Sequence, residues 1–130
     1  MNLKYIKILT IFIMSIFYVR IGVLHFTNPQ YFLNIMPPYL SFHLELVYLS
    51  GFLEIFLGLL LLIKKYRFYA GWGIILLLIA VFPANIYLAQ SIEAQTLLGI
   101  TQKTAILRLP FQIPMLLLAY WHTKSFSDIL

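Results

Sequence analysis

The stretch Phe68-Tyr-Ala-Gly-Trp-Gly-Ile-Ile-Leu-Leu-Leu-Ile-Ala-Val-Phe-Pro-Ala-Asn-Ile-Tyr-Leu-Ala89 carries no charged side chain. As an α-helix at 1.5 Å per residue it is about 30 Å long, the thickness of a bilayer's hydrocarbon core. It predicts a membrane-spanning helix. Three further apolar runs flank it, roughly Tyr5 to Phe26, Leu44 to Ile63 and Thr104 to Trp121. The predicted fold is all-α: an integral membrane four-helix bundle, read as one membrane domain over residues 1–130.

Composition points the same way. Of 130 residues, 62% are hydrophobic and only 10% charged, against about 25% charged in an average soluble domain. Too little polar surface remains to coat a water-soluble globule. There are no cysteines, which excludes disulfides, thiolate metal sites and dithiol redox chemistry. The net charge of +5 does not imply nucleic-acid binding, because the basic residues cluster at span ends. Ile8 to Val19 would serve as the apolar core of a signal peptide. However, Arg20-Ile21-Gly22 is a poor cleavage site, so the segment is read as a retained span.

Between spans one and two, Asn28-Pro29 reads as an N-cap with proline at the first helical position. A short helix over Gln30 to Met36 is expected to lie in the membrane interface, ended by Pro37-Pro38. Ser41 is the expected cap of span two. Lys4, Lys7, Lys64, Lys65, Arg67 and Lys124 fall at the termini and between spans two and three, whereas the other two loops hold only Lys103 outside the spans. The positive-inside rule therefore predicts a multi-pass protein of the inner (cytoplasmic) membrane with both termini in the cytoplasm.

Several polar residues fall inside the spans: Arg20, Glu54, Asn85, Arg108 and Gln112, with His25 near the outer end of span one. A charge at the bilayer centre costs about 2.5–3.5 kcal/mol on insertion scales, so each needs a reason. Glu54 and Gln112 fall near the midplane, and the arginines and Asn85 roughly 5–9 Å outward of it. Glu54, with Glu45 near the outer edge, is available to balance the arginines, and an Arg20–Glu54 pair is expected. In span four, Ala105, Arg108, Gln112, Met115 and Ala119 follow 3-4-3-4 spacing and share a face. In span two, Ser50, Gly51, Glu54 and Gly58 form a face of small residues around the carboxylate, which permits close helix approach in lipid. Pro83, Pro110 and Pro114 lie beside the polar residues, and proline frees the carbonyl four residues earlier. Carbonyls near Ile79 and Ile106 are thus expected to face a shared cavity. The bland alternative is an Arg–Glu tie that fixes helix order. No metal-spaced ligand cluster, phosphate loop, nucleophile motif or dinucleotide fingerprint occurs.

Arg20-Ile-Gly-Val-Leu-His25-Phe26 with Asn28-Pro29, Ser50-Gly51-Phe-Leu-Glu54 with Gly58, Phe82-Pro83-Ala84-Asn85-Ile86-Tyr87, and Arg108-Leu-Pro110-Phe-Gln112 together resemble the DoxX-like family of small bacterial membrane proteins. The resemblance follows the family's order over nearly the whole chain. It implies a four-helix membrane bundle. Some relatives are described as quinone-linked subunits of membrane redox systems, others as assembly factors.

The expected site is therefore a ligand-binding one, made of Arg20, His25, Glu54, Asn85, Arg108 and Gln112, with no metal and no catalytic residue. The expected ligand is a small apolar molecule with a polar head, such as a quinone. Arginine and amide donors suit its carbonyl oxygens, and Glu54 could relay a proton. With no redox cofactor motif of its own, the chain is not expected to be an enzyme by itself. Its expected partners are the lipid bilayer and a membrane or periplasmic redox protein, with a homo-oligomer left open. The competing readings are an assembly factor or structural subunit without a ligand, and a small transporter.

Overall fold

The computed structural model describes residues 2–124. Four long helices carry the chain: α1 (Leu3–Thr27), α3 (His43–Leu60), α4 (Arg67–Gln90) and α6 (Gln102–Trp121). All four are long and apolar enough to cross a membrane. Each falls within three residues of the boundaries expected from hydropathy. Two short helices, α2 (Pro29–Leu33) and α5 (Ile92–Leu98), lie at the end of the bundle opposite the termini.

Helix ends follow local chemistry. Asn2 caps α1 by accepting from the Lys4 amide, Ser91 caps α5 and Thr101 caps α6. Asn28 precedes α2 with Pro29 in the first turn, as expected, but its side chain makes no capping bond. The helix is shorter than anticipated, ending at Leu33. Ser41 does not cap α3; that position belongs to Phe42, which is left-handed (φ 58°, ψ 49°). Nothing in hydropathy announced α5. It begins on a serine cap and ends on Gly99 at φ 69°, a conformation that glycine adopts without penalty. Gln95 is buried and donates to the carbonyls of Leu88 and Ala89, tying α5 to the end of α4.

Helix pairs pack through small residues. α1 lies along α3, and α4 along α6; α3 and α4 share a lesser seam, and α1 and α6 scarcely approach one another. Ser15 and Gly22 of α1 stand opposite Gly58 and Gly51 of α3. A Cβ added at Gly51 would lie 2.5 Å from His25 Cβ and 2.9 Å from the Gly22 carbonyl oxygen. In lipid there is no hydrophobic drive for helices to associate, so such close van der Waals approach supplies the attraction. The core between the pairs holds Met14, Tyr18, Leu57, Leu61, Ile74, Leu77 and Leu78.

The terminal end of the bundle is closed by polar contacts. Lys7, expected as a flanking surface charge, is buried; its ammonium donates to the Lys124 carbonyl and lies over the Trp121 ring. The Thr10 hydroxyl donates to the Lys7 carbonyl at 2.9 Å, so its lone pairs receive His122 Nε2–H at 3.1 Å. His122 Nδ1 is buried without a hydrogen-bond partner among the described residues. Burial and the nearby charges of Lys7 and Arg67 push the His122 pKa down to about 4.

Gly51→Ala should destabilise the protein by about 1–3 kcal/mol through overpacking against α1. Gly99→Ala, with open space around it, should cost only about 1 kcal/mol of backbone strain. Thermal unfolding in detergent micelles ranks the two, and equal losses would contradict the close crossing. For His122 the folded pKa lies below the unfolded value, so the unfolded state binds more protons. Stability should be full above about pH 6.5, fall as the pH drops, and be lower by roughly 2 kcal/mol at pH 5. His122→Gln should remove that acid sensitivity.

Candidate functional site

A cavity of about 370 Å³ lies in the half of the bundle remote from the termini, within the range of small-molecule sites. Every long helix contributes to its walls, and α2 lies across its end. From α1 come Tyr18 and His25, from α3 Glu54, from α4 Asn85, and from α6 Arg108 and Gln112. Five of the six residues expected to form the site therefore surround one space.

The sixth does not. Arg20 is exposed and does not line the cavity. Helical phase explains this, since Arg20 is two residues beyond the buried Tyr18, or roughly 200° around α1. The expected Arg20–Glu54 pair is absent among the described residues, and Glu54 meets His25 instead. Glu45 is exposed as well and balances no charge in the interior.

His25 Nδ1 lies 2.7 Å from the Ile21 carbonyl, which accepts only, so Nδ1 carries a proton. The same nitrogen is 3.3 Å from Glu54 Oε2. With its hydrogen directed at Ile21, this second approach is an electrostatic contact, and Glu54 Oε2 has no hydrogen-bond partner among the described residues. The Tyr18 hydroxyl is buried in the same condition. Both residues are more than nine-tenths buried, at 8% and 3% exposed. An unsatisfied buried polar group costs about 1–3 kcal/mol, so two bordering one space call for an explanation that the protein's own contacts do not supply.

Arg108 and Gln112 already have protein partners. Gln112 Nε2 donates to the Leu78 carbonyl at 2.6 Å, tying α6 to α4. The expected freed carbonyls were those near Ile79 and Ile106, but neither residue lines the cavity, and both side chains point out of the bundle. Pro83 and Pro110 do sit beside the polar residues inside α4 and α6. Arg108 Nη2 donates to the Tyr31 hydroxyl at 3.0 Å, and the Phe32 ring stacks on His25 with centroids 3.6 Å apart. These two contacts hold α2 over the cavity.

The profile of a family described as a domain of unknown function (DUF8561) matches residues 14–123. The chain belongs to this family. No curated protein and no solved structure matches it. The DUF8561 match runs from Met14, in the middle of α1, to Thr123. It takes in the four apolar helices from that point on and every cavity residue named above, and leaves out Lys7 and Thr10.

Tyr18, Tyr31 and Phe32 were not anticipated. Tyr18 had a signal: Ile11, Met14, Tyr18 and His25 share one face of α1 by their spacing. Tyr31 and Phe32 had none, because their role arises only when α2 folds back over the bundle.

A double-mutant cycle of Arg108→Gln with Tyr31→Phe should show a coupling of about 1 kcal/mol or more, as expected of a charged hydrogen bond. A cycle of Arg20→Gln with Glu54→Gln should be additive to within a few tenths of a kcal/mol, as for residues without contact. Unfolding free energies in detergent measure both.

Proposed function

We propose that the cavity binds a small apolar molecule with a polar head, a quinone being the chemistry that fits best, and that the protein serves as an accessory membrane subunit of a redox system. The observation that carries this reading is the pair of unpartnered buried groups, Tyr18 Oη and Glu54 Oε2, at a space with apolar side chains over much of its wall. A quinone carbonyl accepts from the tyrosine hydroxyl. A hydroquinone hydroxyl donates to the carboxylate, so the same pair serves both redox forms. Asn85 and the remaining N–H groups of Arg108 supply further donors. Gln112 is committed to Leu78 and acts by positioning α6. Electrons would come from a partner protein, and Glu54 with His25 would carry protons.

The likeness of the four helix motifs to the DoxX-like family supports the same reading. So does the basic bias toward the terminal side, which orients the chain with both termini in the cytoplasm and the cavity toward the outer leaflet.

Organic extraction of protein purified in mild detergent, followed by chromatography with ultraviolet detection, tests the proposal. About one quinone per chain is expected. Tyr18→Phe and Glu54→Gln should each lower its recovery roughly tenfold, equivalent to one hydrogen bond to a charged or buried partner. Folded protein that carries no quinone, and takes none up when it is supplied, would overturn the binding role and leave an assembly or structural role in its place.

A further inference from the structure

The cavity is open on one side. Phe17 of α1 and Phe111 of α6 both line it, yet both are well exposed on the outside of the bundle, at 44% and 61%. They stand on the two helices that scarcely approach one another. The gap between α1 and α6 is therefore a lateral mouth facing lipid, with a phenylalanine on each wall.

Each wall also carries an arginine in matching order. On α1, Arg20 follows Phe17 by three residues. On α6, Arg108 precedes Phe111 by three. The two helices run in opposite directions, so on both walls the arginine lies about one turn nearer the α2 end than the phenylalanine. The arrangement runs cation, then apolar ring, from the membrane surface inward. Arg20 is exposed and has no ion-pair partner among the described residues. It lies seven residues before the end of α1 at Thr27, about 10 Å along the axis. Its side chain can cover most of that distance by extending toward the head-group layer. Arg108 spends one N–H on Tyr31 and has four others.

We propose that this mouth binds one anionic phospholipid, its phosphate held between Arg20 and Arg108 and an acyl chain lying between Phe17 and Phe111. Arginine matches phosphate in charge and in fork geometry. An unpaired arginine facing hydrocarbon would otherwise cost about 2.5–3.5 kcal/mol, and the phosphate supplies the counter-charge. A symmetric dimer through this face of α1 would set Arg20 against Arg20, which the charge disfavours. The mouth adjoins the inner cavity and shares Arg108 with it, but Arg20 lies outside that cavity, so a lipid site that depends on Arg20 is testable whether or not a quinone occupies the space at Tyr18 and Glu54.

Native mass spectrometry of the delipidated full chain, titrated with dioleoyl phosphatidylglycerol, tests the proposal. One tightly held lipid is expected. Arg20→Gln should weaken it about tenfold, as for loss of a charge-assisted phosphate contact, and Arg20→Lys less. Lys103→Gln, on the same side of the membrane, should leave it unchanged. Arg20→Gln replaces a lipid-facing residue, so the variant should fold, and its quinone recovery should match that of the parent. Equal lipid binding by Arg20→Gln and parent would overturn the proposal. So would equal binding of dioleoylglycerol, which lacks phosphate. Displacement of the lipid by inorganic phosphate would show a free-anion site instead. Stoichiometric co-purification of an acidic membrane protein, lost in Arg20→Gln, would assign the arginine to a protein partner and likewise overturn the lipid site.

Discussion

The close crossing of α1 and α3 at Gly22 and Gly51 governs the arrangement of the bundle. A side chain at either glycine would run into the other helix's backbone or into His25. Because both are glycine, the two backbones approach along their length, with Ser15 near Gly58 continuing the seam. That approach places His25 and Glu54 side by side, though they are far apart in sequence. It also determines which face of α1 is buried, and so which polar residues of that helix enter the interior. His25 and Tyr18 do, and Arg20 is turned out.

The second helix pair uses the same device elsewhere. Gly71 of α4 meets the Ala119 carbonyl and Thr123 near the termini, and Ala105 of α6 packs with Leu88 and Ala89 of α4 at the opposite end. Between the pairs, the seam of α3 with α4 rests on larger side chains, such as Leu57 against Gly73. Two tight pairs joined along one seam leave the other side free to part. Near the termini it is held shut by the Lys7, Thr10, His122 and Lys124 contacts. Toward α2 the Arg108–Tyr31 bond and the His25–Phe32 stack bridge it through α2. The cavity lies where the closure is weakest.

The spans were legible because burial in lipid makes hydropathy nearly sufficient: a helix that satisfies its own backbone needs only an apolar surface. The small-residue face of α3 and the 3-4-3-4 face of α6 were legible for a related reason, since spacing alone fixes which side chains share a face. Arg20 shows where depth misleads. It shares a slab with Glu54, but phase decides contact, and the phase that mattered was set by Gly22 against Gly51. Lys7 shows the same limit at a helix end, where a flanking lysine is as readily drawn into a polar clamp as left in water. Tyr31 and Phe32 act through a fold-back of five helical residues that no periodicity encodes. α5 was hidden because a helix of seven residues leaves too short a pattern to distinguish from a loop.

The intramembrane polar residues divide into two groups, and the division bears on why they are there. Gln112 and Arg108 have protein acceptors, the Leu78 carbonyl and the Tyr31 hydroxyl. They explain how α6 is tied to α4 and how α2 is held down, and a structural role would require no more. Tyr18 Oη and Glu54 Oε2 have no such hydrogen bonds among the described residues. Had selection acted only for a tied bundle, phenylalanine and leucine would pack those positions at lower cost, since an unmet buried hydroxyl and carboxylate both oppose folding. The first group builds the walls and the cap. The second faces the space they enclose with hydrogen bonds unmet among the described residues, and the proposed binding role rests on that difference.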